Sequence, residues 1–293
     1  MSAVDIALKA ILKLEPEGFQ ILEAIEKQTR KFEYLPVEVV SNLTEIHIQT
    51  TEHHLQELQK QKLLTYQSEP YEGYKLTMGA HDILALKALV DKNVIEKFGK
   101  SLGVGKESDV YDALTPDGTQ VAVKIHRLGR TSFRDVKRKR GYTTQHLYTP
   151  DWHKRSALAA KREYIALRLL EPHDIAAPKP LARNRHILVM SMIEGAELYR
   201  YSTIADPGAV LEEILDNMRL AYQDAKVIHA DLSPYNVILQ PDQHILIIDW
   251  PQYIRPDHPN AEALLKRDVR NVLGFFEYSG KPDLEKALTF VKA

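Results

Sequence analysis

Val227-Ile-His-Ala-Asp-Leu-Ser-Pro-Tyr-Asn-Val-Ile-Leu-Gln-Pro-Asp-Gln-His-Ile-Leu-Ile-Ile-Asp-Trp-Pro-Gln252 sets three polar residues among apolar ones. Asp231 and Asn236 sit five apart in a short loop after an apolar run. Asn236 to Leu239 and His244 to Ile248 then read as a hairpin around Pro241-Asp242-Gln243, with Asp249 delivered at its end. A carboxylate and an amide on one loop, joined by a carboxylate at the end of the next strand, can converge on a divalent cation and a phosphate.

Upstream, Asp206-Pro207 starts a helix, cap then proline, that buries Val210, Ile214, Leu215 and Met218 and runs to about Asp224. Before it, Arg185 to Met192 is an apolar strand leading into Ile193-Glu-Gly-Ala-Glu197, a hinge between lobes whose backbone would bind adenine; Met190, Met192 and Ile193 are the expected contacts. Arg155 to Leu170 is a helix with Leu158, Ile165 and Leu169 on one face and Glu163 as its acid of interest. Further back stands Gly103-Val-Gly-Lys-Glu-Ser-Asp-Val-Tyr111, then a hairpin turning at Pro116-Asp117-Gly118, then the alternating strand Gln120-Val-Ala-Val-Lys-Ile125 that delivers Lys124. Glycines 103 and 105 let backbone approach phosphate oxygens closely, and the Ser108 hydroxyl and nearby amides, from Val104 through Lys106 and Glu107, can donate to them. A glycine-rich turn followed about twenty residues later by V-A-V-K resembles the nucleotide-covering loop and phosphate-pairing lysine of protein kinases. Glu163 is then the acid expected to meet Lys124.

The first ninety or so residues have a different pattern. Gly18 to Thr29 places Phe19, Leu22, Ala24 and Ile25 at helical spacing, Pro36 opens a short helix with Val37, Val39 and Val40, and Thr44 to Lys62 supplies a third. In that third helix Ile48, Leu55 and Leu58 are expected to face inward, with Thr51, Glu52, His54 and Gln56 outward. Two strands, Leu63 to Gln67 and Tyr71 to Thr77, follow around Ser68-Glu69-Pro70. Three helices and a two-stranded wing are the order of a winged helix-turn-helix. Its third helix carries Glu45, Glu52 and Glu57, which oppose phosphate approach, so protein or structured-RNA contact, or a purely structural role, is favoured over duplex reading. His81 to Val90 adds an apolar linker helix, and so short a connection predicts a fixed domain orientation.

At 293 residues two domains fit, expected at 1–92 and 93–293, the second split into lobes at about 190. Apolar residues at 44% and charged at 27% suit a soluble globular protein, and zero cysteines remove disulfides and cysteine-based zinc sites. The absence of a membrane-length apolar run or a signal-like start leads to the expectation of a cytoplasmic protein with no membrane association. A net charge of −1 argues against a uniformly basic coat, yet Lys124 to Arg140 holds eight Lys or Arg against Asp135 alone, a patch able to attract phosphate backbones.

With these pieces assembled, the chain resembles the RIO family of atypical serine/threonine protein kinases, in its winged-helix-containing subfamily, and an archaeal source is expected. The resemblance rests on Tyr71-Glu-Gly-Tyr-Lys-Leu-Thr77, Gly103-Val-Gly-Lys-Glu-Ser-Asp109, Leu128-Gly-Arg-Thr-Ser-Phe-Arg134, Ile248-Asp-Trp-Pro-Gln252, His258-Pro-Asn-Ala-Glu262 and Arg267-Asp-Val-Arg270. It implies an α+β fold, a winged helix-turn-helix followed by a trimmed bilobal kinase domain. It also implies Asp231 as catalytic aspartate, Asn236 and Asp249 as ligands of Mg2+ or Mn2+, Lys124 and Glu163 as the phosphate-orienting pair, and Ser108 in the phosphate loop. Two departures are visible: His229-Ala-Asp-Leu-Ser-Pro-Tyr-Asn236 reads more like the sister subfamily, and Trp250 stands where phenylalanine is commoner. Only 18 residues separate Asp249 from Arg267, without an Ala-Pro-Glu sequence, and the chain beyond leaves room for about two helices, so no peptide platform is expected.

The family likeness further implies ATP-dependent work on the maturing small ribosomal subunit, with ATP hydrolysis, through a phospho-aspartate at Asp249, at least as important as protein phosphorylation. The winged helix and the basic loop 124–140 would be its two surfaces toward ribosomal RNA, recognised by shape and phosphates. Two other readings stand beside it: a small-molecule phosphotransferase of the aminoglycoside or choline kinase kind, and a DNA-binding regulator whose kinase-like half senses nucleotide.

Overall fold

Four helix starts follow caps written in the chain. Thr77 accepts from Ala80 N, Asp151 from His153 N, Asp206 from Ala209 N ahead of Pro207, and Asp283 from Glu285 N and Lys286 N. The computed structural model describes all residues except 1–3, 5, 6, 8, 9, 12, 30, 129–150, 278, 279 and 281. Most of the basic loop 124–140 therefore lies outside the described residues. The chain divides into two compact units, Met1–Asn93 and Val94–Ala293.

In the first unit, α1 (Pro16–Gln28), α2 (Val37–Thr44) and α3 (Ile48–Lys60) precede a wing of β1 (Leu64–Gln67) and β2 (Gly73–Leu76), and α4 (Met78–Asp91) closes it. The wing is antiparallel, with Leu64 opposite Leu76 and Tyr66 opposite Tyr74, and Leu35 bridges to Tyr74 beside it. A side chain at Gly73 would press on Tyr34, which explains glycine there. Ile21, Leu22, Ile25, Leu35, Leu55, Leu58, Ile83 and Leu86 form the core. Two expectations are corrected. Thr51 is fully buried, not outward, because its hydroxyl donates to the Ile46 carbonyl at the start of α3 and so satisfies itself inside, while Ile48 in the first helical turn is 37% exposed.

The second unit begins with a five-stranded antiparallel sheet in the order β3-β4-β5-β7-β6, made of β3 (Lys97–Val104), β4 (Ser108–Leu114), β5 (Gln120–His126), β6 (Pro180–Asn184) and β7 (Ile187–Ser191). Helix α5 (Trp152–Leu170) packs on it. The alternation of β4 buries Asp109, Tyr111 and Ala113, whereas the central strand β5 is buried along almost its whole length. Past the hinge come β8 (Ala196–Glu197), α6 (Pro207–Gln223), the hairpin β9 (Val237–Leu239) and β10 (Ile245–Ile247), α7 (Ala261–Phe275) and α8 (Leu284–Lys292). Gly195 has φ +106°, and a Cβ there would overlap the Leu239 carbonyl, so the hinge requires glycine. Among the described residues no helix is long and apolar enough to cross a membrane.

Candidate active site

Strand register puts Lys124 on β5 between Val110 of β4 and Leu188 of β7, with its side chain buried. A lone buried ammonium is costly, so it must be paired. Its Nζ donates to Glu163 Oε1 of α5 at 2.7 Å and to Asp249 Oδ1 at 2.8 Å. Burial alone would lower the Lys124 pKa, but the two carboxylates outweigh it and raise it above its ordinary value. Burial likewise pushes both acids up, but Lys124, joined by His126, more than offsets it: Glu163 ends below the usual range, and Asp249 at about 2. All three groups are thus charged at neutral pH.

The loop carrying Asp231 is held from two sides. From α7, Asp268 accepts Ala230 N–H at 2.7 Å and Leu232 N–H at 3.2 Å, Asn271 donates to Leu232 O at 3.0 Å, and Arg267 donates to Ala230 O. Ala230 and Asp249 both adopt left-handed backbone, φ +62° and +67°, a conformation that non-glycine residues keep only when their surroundings enforce it. From the other side, buried His229 contacts Ile248 O through Nε2 at 2.9 Å and accepts Asp231 N–H through Nδ1 at 3.3 Å. Its ring lies 4.5 Å from that of Trp250. Burial lowers the His229 pKa, which favours the neutral ring this pattern needs. Burial pushes the Asp268 carboxyl up to about 7, against the pull of Arg267 and the two backbone donors.

Asn236 donates Nδ2 to Asp231 O at 2.8 Å, and its own backbone carbonyl accepts Ile248 N–H at 2.9 Å, which ties the two acidic segments together. The amide oxygen of Asn236 and the Asp249 carboxylate are hard oxygen donors, suited to Mg2+ or Mn2+. Asp231 is 46% exposed and lies 4.0 Å from Arg267. Gly103 and Val104 end β3, and Gly105 N–H closes a turn onto Ser108 O at 2.8 Å, with Lys106 and Glu107 inside it. Met190 is buried on β7 opposite Ala122, and Met192 and Ile193 pack partly buried at the hinge.

The structure therefore brings Lys124, Glu163 and Asp249 into one contact set, and Asp231, Asn236 and His229 into another joined to it through Ile248. It also brings in residues to which sequence reasoning gave no task. Asp268 and Asn271 stand three apart on one helix face; Asp268 was visible only as part of the Arg267-Asp-Val-Arg270 motif, and Asn271, just beyond it, was not singled out. His126, two after Lys124 on β5, shares its strand face and reaches Glu163.

Residues 109–288 match the RIO domain family model, and residues 11–92 match that of the Rio2 N-terminal domain. The chain belongs to the RIO kinase family. As a RIO protein with a Rio2 N-terminal domain, it is an atypical serine/threonine protein kinase. It is 35% identical over 284 residues to serine/threonine-protein kinase rio2 of Schizosaccharomyces pombe, covering 96% of this chain and 82% of that one. It is 38% identical to the RIO-type kinase Rio2 of Methanocaldococcus jannaschii over 70% of this chain and 77% of that one. With RIO2 of Caenorhabditis elegans it shares 37% identity over 90% of this chain but spans only 50% of that protein. Among solved structures, the Rio2 kinase-ADP/Mg2+-phosphoaspartate complex from Chaetomium thermophilum superposes with a TM-score of 0.80 at 30% identity, covering 97% of this RIO chain and 89% of that one.

Proposed function

We propose that this RIO kinase transfers the γ-phosphoryl group of Mg-ATP to the Asp249 carboxylate, and that water then hydrolyses the acyl phosphate. The observation that carries the reading is Asp249 itself: partly exposed, with its carboxyl held at about 2, it is an ionised oxygen nucleophile in contact with Lys124. In the first step an Asp249 oxygen bonds to the γ-phosphorus as the bond to the β,γ-bridging oxygen breaks and ADP leaves. In the second, water attacks the phosphorus of the acyl phosphate, Asp231 accepts its proton, and the Asp249 carboxylate is regenerated with release of phosphate.

Lys124, fixed by Glu163, would orient the phosphates, and Asn236 with Asp249 would hold Mg2+, which when bound supplies neutralisation of phosphate charge. A Cβ at Gly103 would meet nothing within 4 Å, so internal packing does not demand glycine there, whereas close approach of a phosphate would. Backbone at Ile193 and side chains at Met190 and Met192 would receive the adenine. The phosphoaspartate of the Chaetomium thermophilum Rio2 complex supports the covalent step by analogy. Between Asp249 and α7 there is a turn, a bridge from Ile254 to Ile228, and no helix, which leaves little platform for a peptide and favours hydrolysis over steady protein phosphorylation.

The partner in this reading is the maturing small ribosomal subunit in the cytoplasm, met through the winged helix and the basic segment 124–140. The chemical test is labelling with γ-labelled ATP: a hydroxylamine-labile label present in the wild type and absent in Asp249→Asn is expected, and a label surviving that substitution refutes the step. The biological test is co-sedimentation with small ribosomal subunits, with and without ATP; no association in either condition removes the partner.

A further inference from the structure

Glu163 uses both of its carboxylate oxygens. Oε1 takes the Lys124 ammonium at 2.7 Å and faces Trp250 N at 3.4 Å, while Oε2 lies 2.9 Å from Nε2 of His126. That second contact is off the line of a full hydrogen bond, and among the described residues neither Glu163 Oε2 nor His126 Nε2 has another hydrogen-bonding partner. Both residues are buried, His126 at 3% and Glu163 at 2% exposure, so an oxygen left without a donor there is expensive. Residues two apart on a strand face the same way, so β5 presents Lys124 and His126 side by side to one carboxylate.

We infer that His126 is a positioning residue for phosphoryl transfer, fixing the Glu163 carboxylate so that its other oxygen holds Lys124 over the phosphates. In a conventional kinase the position of the glutamate helix is controlled through the activation segment. Here the chain runs from Asp249 to α7 at Ala261 without such a segment, and α5 is held by other means. Arg162, next to Glu163, donates to Pro251 O at 2.7 Å and to Tyr253 O, with its guanidinium 4.9 Å from the centre of the Tyr253 ring. Ser156 at the other end of α5 accepts Leu128 N–H at 3.0 Å, just beyond β5. His126 completes the set from the strand that bears the lysine. An imidazole suits the place because its N–H supplies a donor without the permanent second cation that Lys or Arg would set against Lys124.

Without its second contact, Glu163 is free to rotate and Lys124 is drawn to Asp249 alone, so the grip on the nucleotide weakens. His126→Phe should therefore raise the KM for ATP about tenfold, the scale of one unsatisfied buried acceptor. His126→Gln, whose amide reaches to the same place as Nε2, should stay within about threefold of wild type. A fold defect merely reduces the active fraction and leaves KM alone, which separates the two explanations. An unchanged KM in His126→Phe, or His126→Gln as impaired as His126→Phe, overturns the assignment. If His126→Phe does not fold, 15N-histidine spectra serve instead: the Nε2–H signal, assigned by its loss in His126→Gln, should shift in Glu163→Gln, and an unmoved signal overturns the assignment equally.

Discussion

Asp109→Asn tests whether the nucleotide loop is anchored from within the sheet. Arg127 and Asp109 are almost completely buried, with Nε donating to Oδ2 at 3.2 Å, and Arg127 N–H also donates to Glu107 O at 2.6 Å. The segment just after Lys124 thus holds the segment just after Gly105. Removing one partner of a buried pair costs about 3–5 kcal/mol because the other charge stays buried. Both residues make further contacts, so about 3 kcal/mol, the lower end, is expected. Denaturant unfolding followed by tryptophan fluorescence reads this out in the kinase unit alone, since Trp152 and Trp250 both lie there. The affinity for Mg-ATP should fall with it, as the loop loses its anchor. Replacing both residues, Asp109→Leu with Arg127→Met, should recover most of the stability, since a buried pair exchanged for apolar side chains of similar volume is often neutral. A loss below about 1 kcal/mol in Asp109→Asn, or a double variant whose loss equals the sum of the single ones, would refute the argument.

Asp231→Asn should abolish ATP turnover while titration calorimetry finds Mg-ATP binding largely intact; equal loss of both would mean that Asp231 holds nucleotide. Gly195→Ala should destabilise the kinase unit by roughly 2 kcal/mol or more, given its left-handed φ and the Leu239 carbonyl in the path of a Cβ; a neutral effect in thermal melting would count against a rigid hinge. With its carboxyl raised from 3.8 to about 7, Asp268 keeps in the fold a proton that the unfolded chain releases near pH 4. Its contribution to stability therefore falls as pH rises from about 4 to 7 and is flat above, by up to about 4 kcal/mol at 1.36 kcal/mol per unit. Asp268→Asn lacks that slope, so the difference between the two stability curves should change over this window, and parallel curves would contradict the raised value. For His229 the lowered pKa keeps the ring neutral through pH 6.5, so turnover should show no inflection from it at or above that pH; His229→Phe should cut turnover, and a variant as active as wild type would remove its bracing role.

Lys124 and Asp249 stood out in the sequence as polar residues closing apolar runs, and Asp231 and Asn236 as a pair in the loop after one; Glu163, preceded by Lys161 and Arg162, was picked only by its place in a kinase-like order, and the structure sets it and Asp249 against Lys124. Element ends were less so: α5 begins at Trp152 rather than Arg155 because the Asp151 side chain caps it, a contact that apolar periodicity does not register. Thr51 was misplaced for a related reason, since a hydroxyl that finds a carbonyl just ahead of its own helix is free to be buried. Asp268 escaped because its partners, Ala230 and Leu232, lie 38 and 36 residues earlier, and no periodicity connects them. His126 had the alternation of β5 in its favour, but a histidine on a buried strand names no partner until α5 is laid across it.

The Asp231 and Asp249 carboxylates stand on different segments, and besides Asn236 a buried imidazole links those segments. His229 accepts the N–H of Asp231 on one side and, on the other, meets the carbonyl of Ile248, the residue before Asp249. That pattern requires the proton on Nε2 and a free lone pair on Nδ1, so the ring works only when neutral. Burial, together with the packed face of Trp250, supplies the apolar surroundings that disfavour the charged form. Helix α7 then enforces the left-handed turn at Ala230, through Asp268 on its N–H and Arg267 on its carbonyl, and so aims Asp231. The bulk of Trp250 where phenylalanine is commoner has a local reason as well: its indole N–H donates to Ile247 O at 2.9 Å, which fixes the end of β10 from which Asp249 departs. Geometry that a conventional kinase could draw from an activation segment is here drawn from His229, Asn236, Trp250 and one turn of α7.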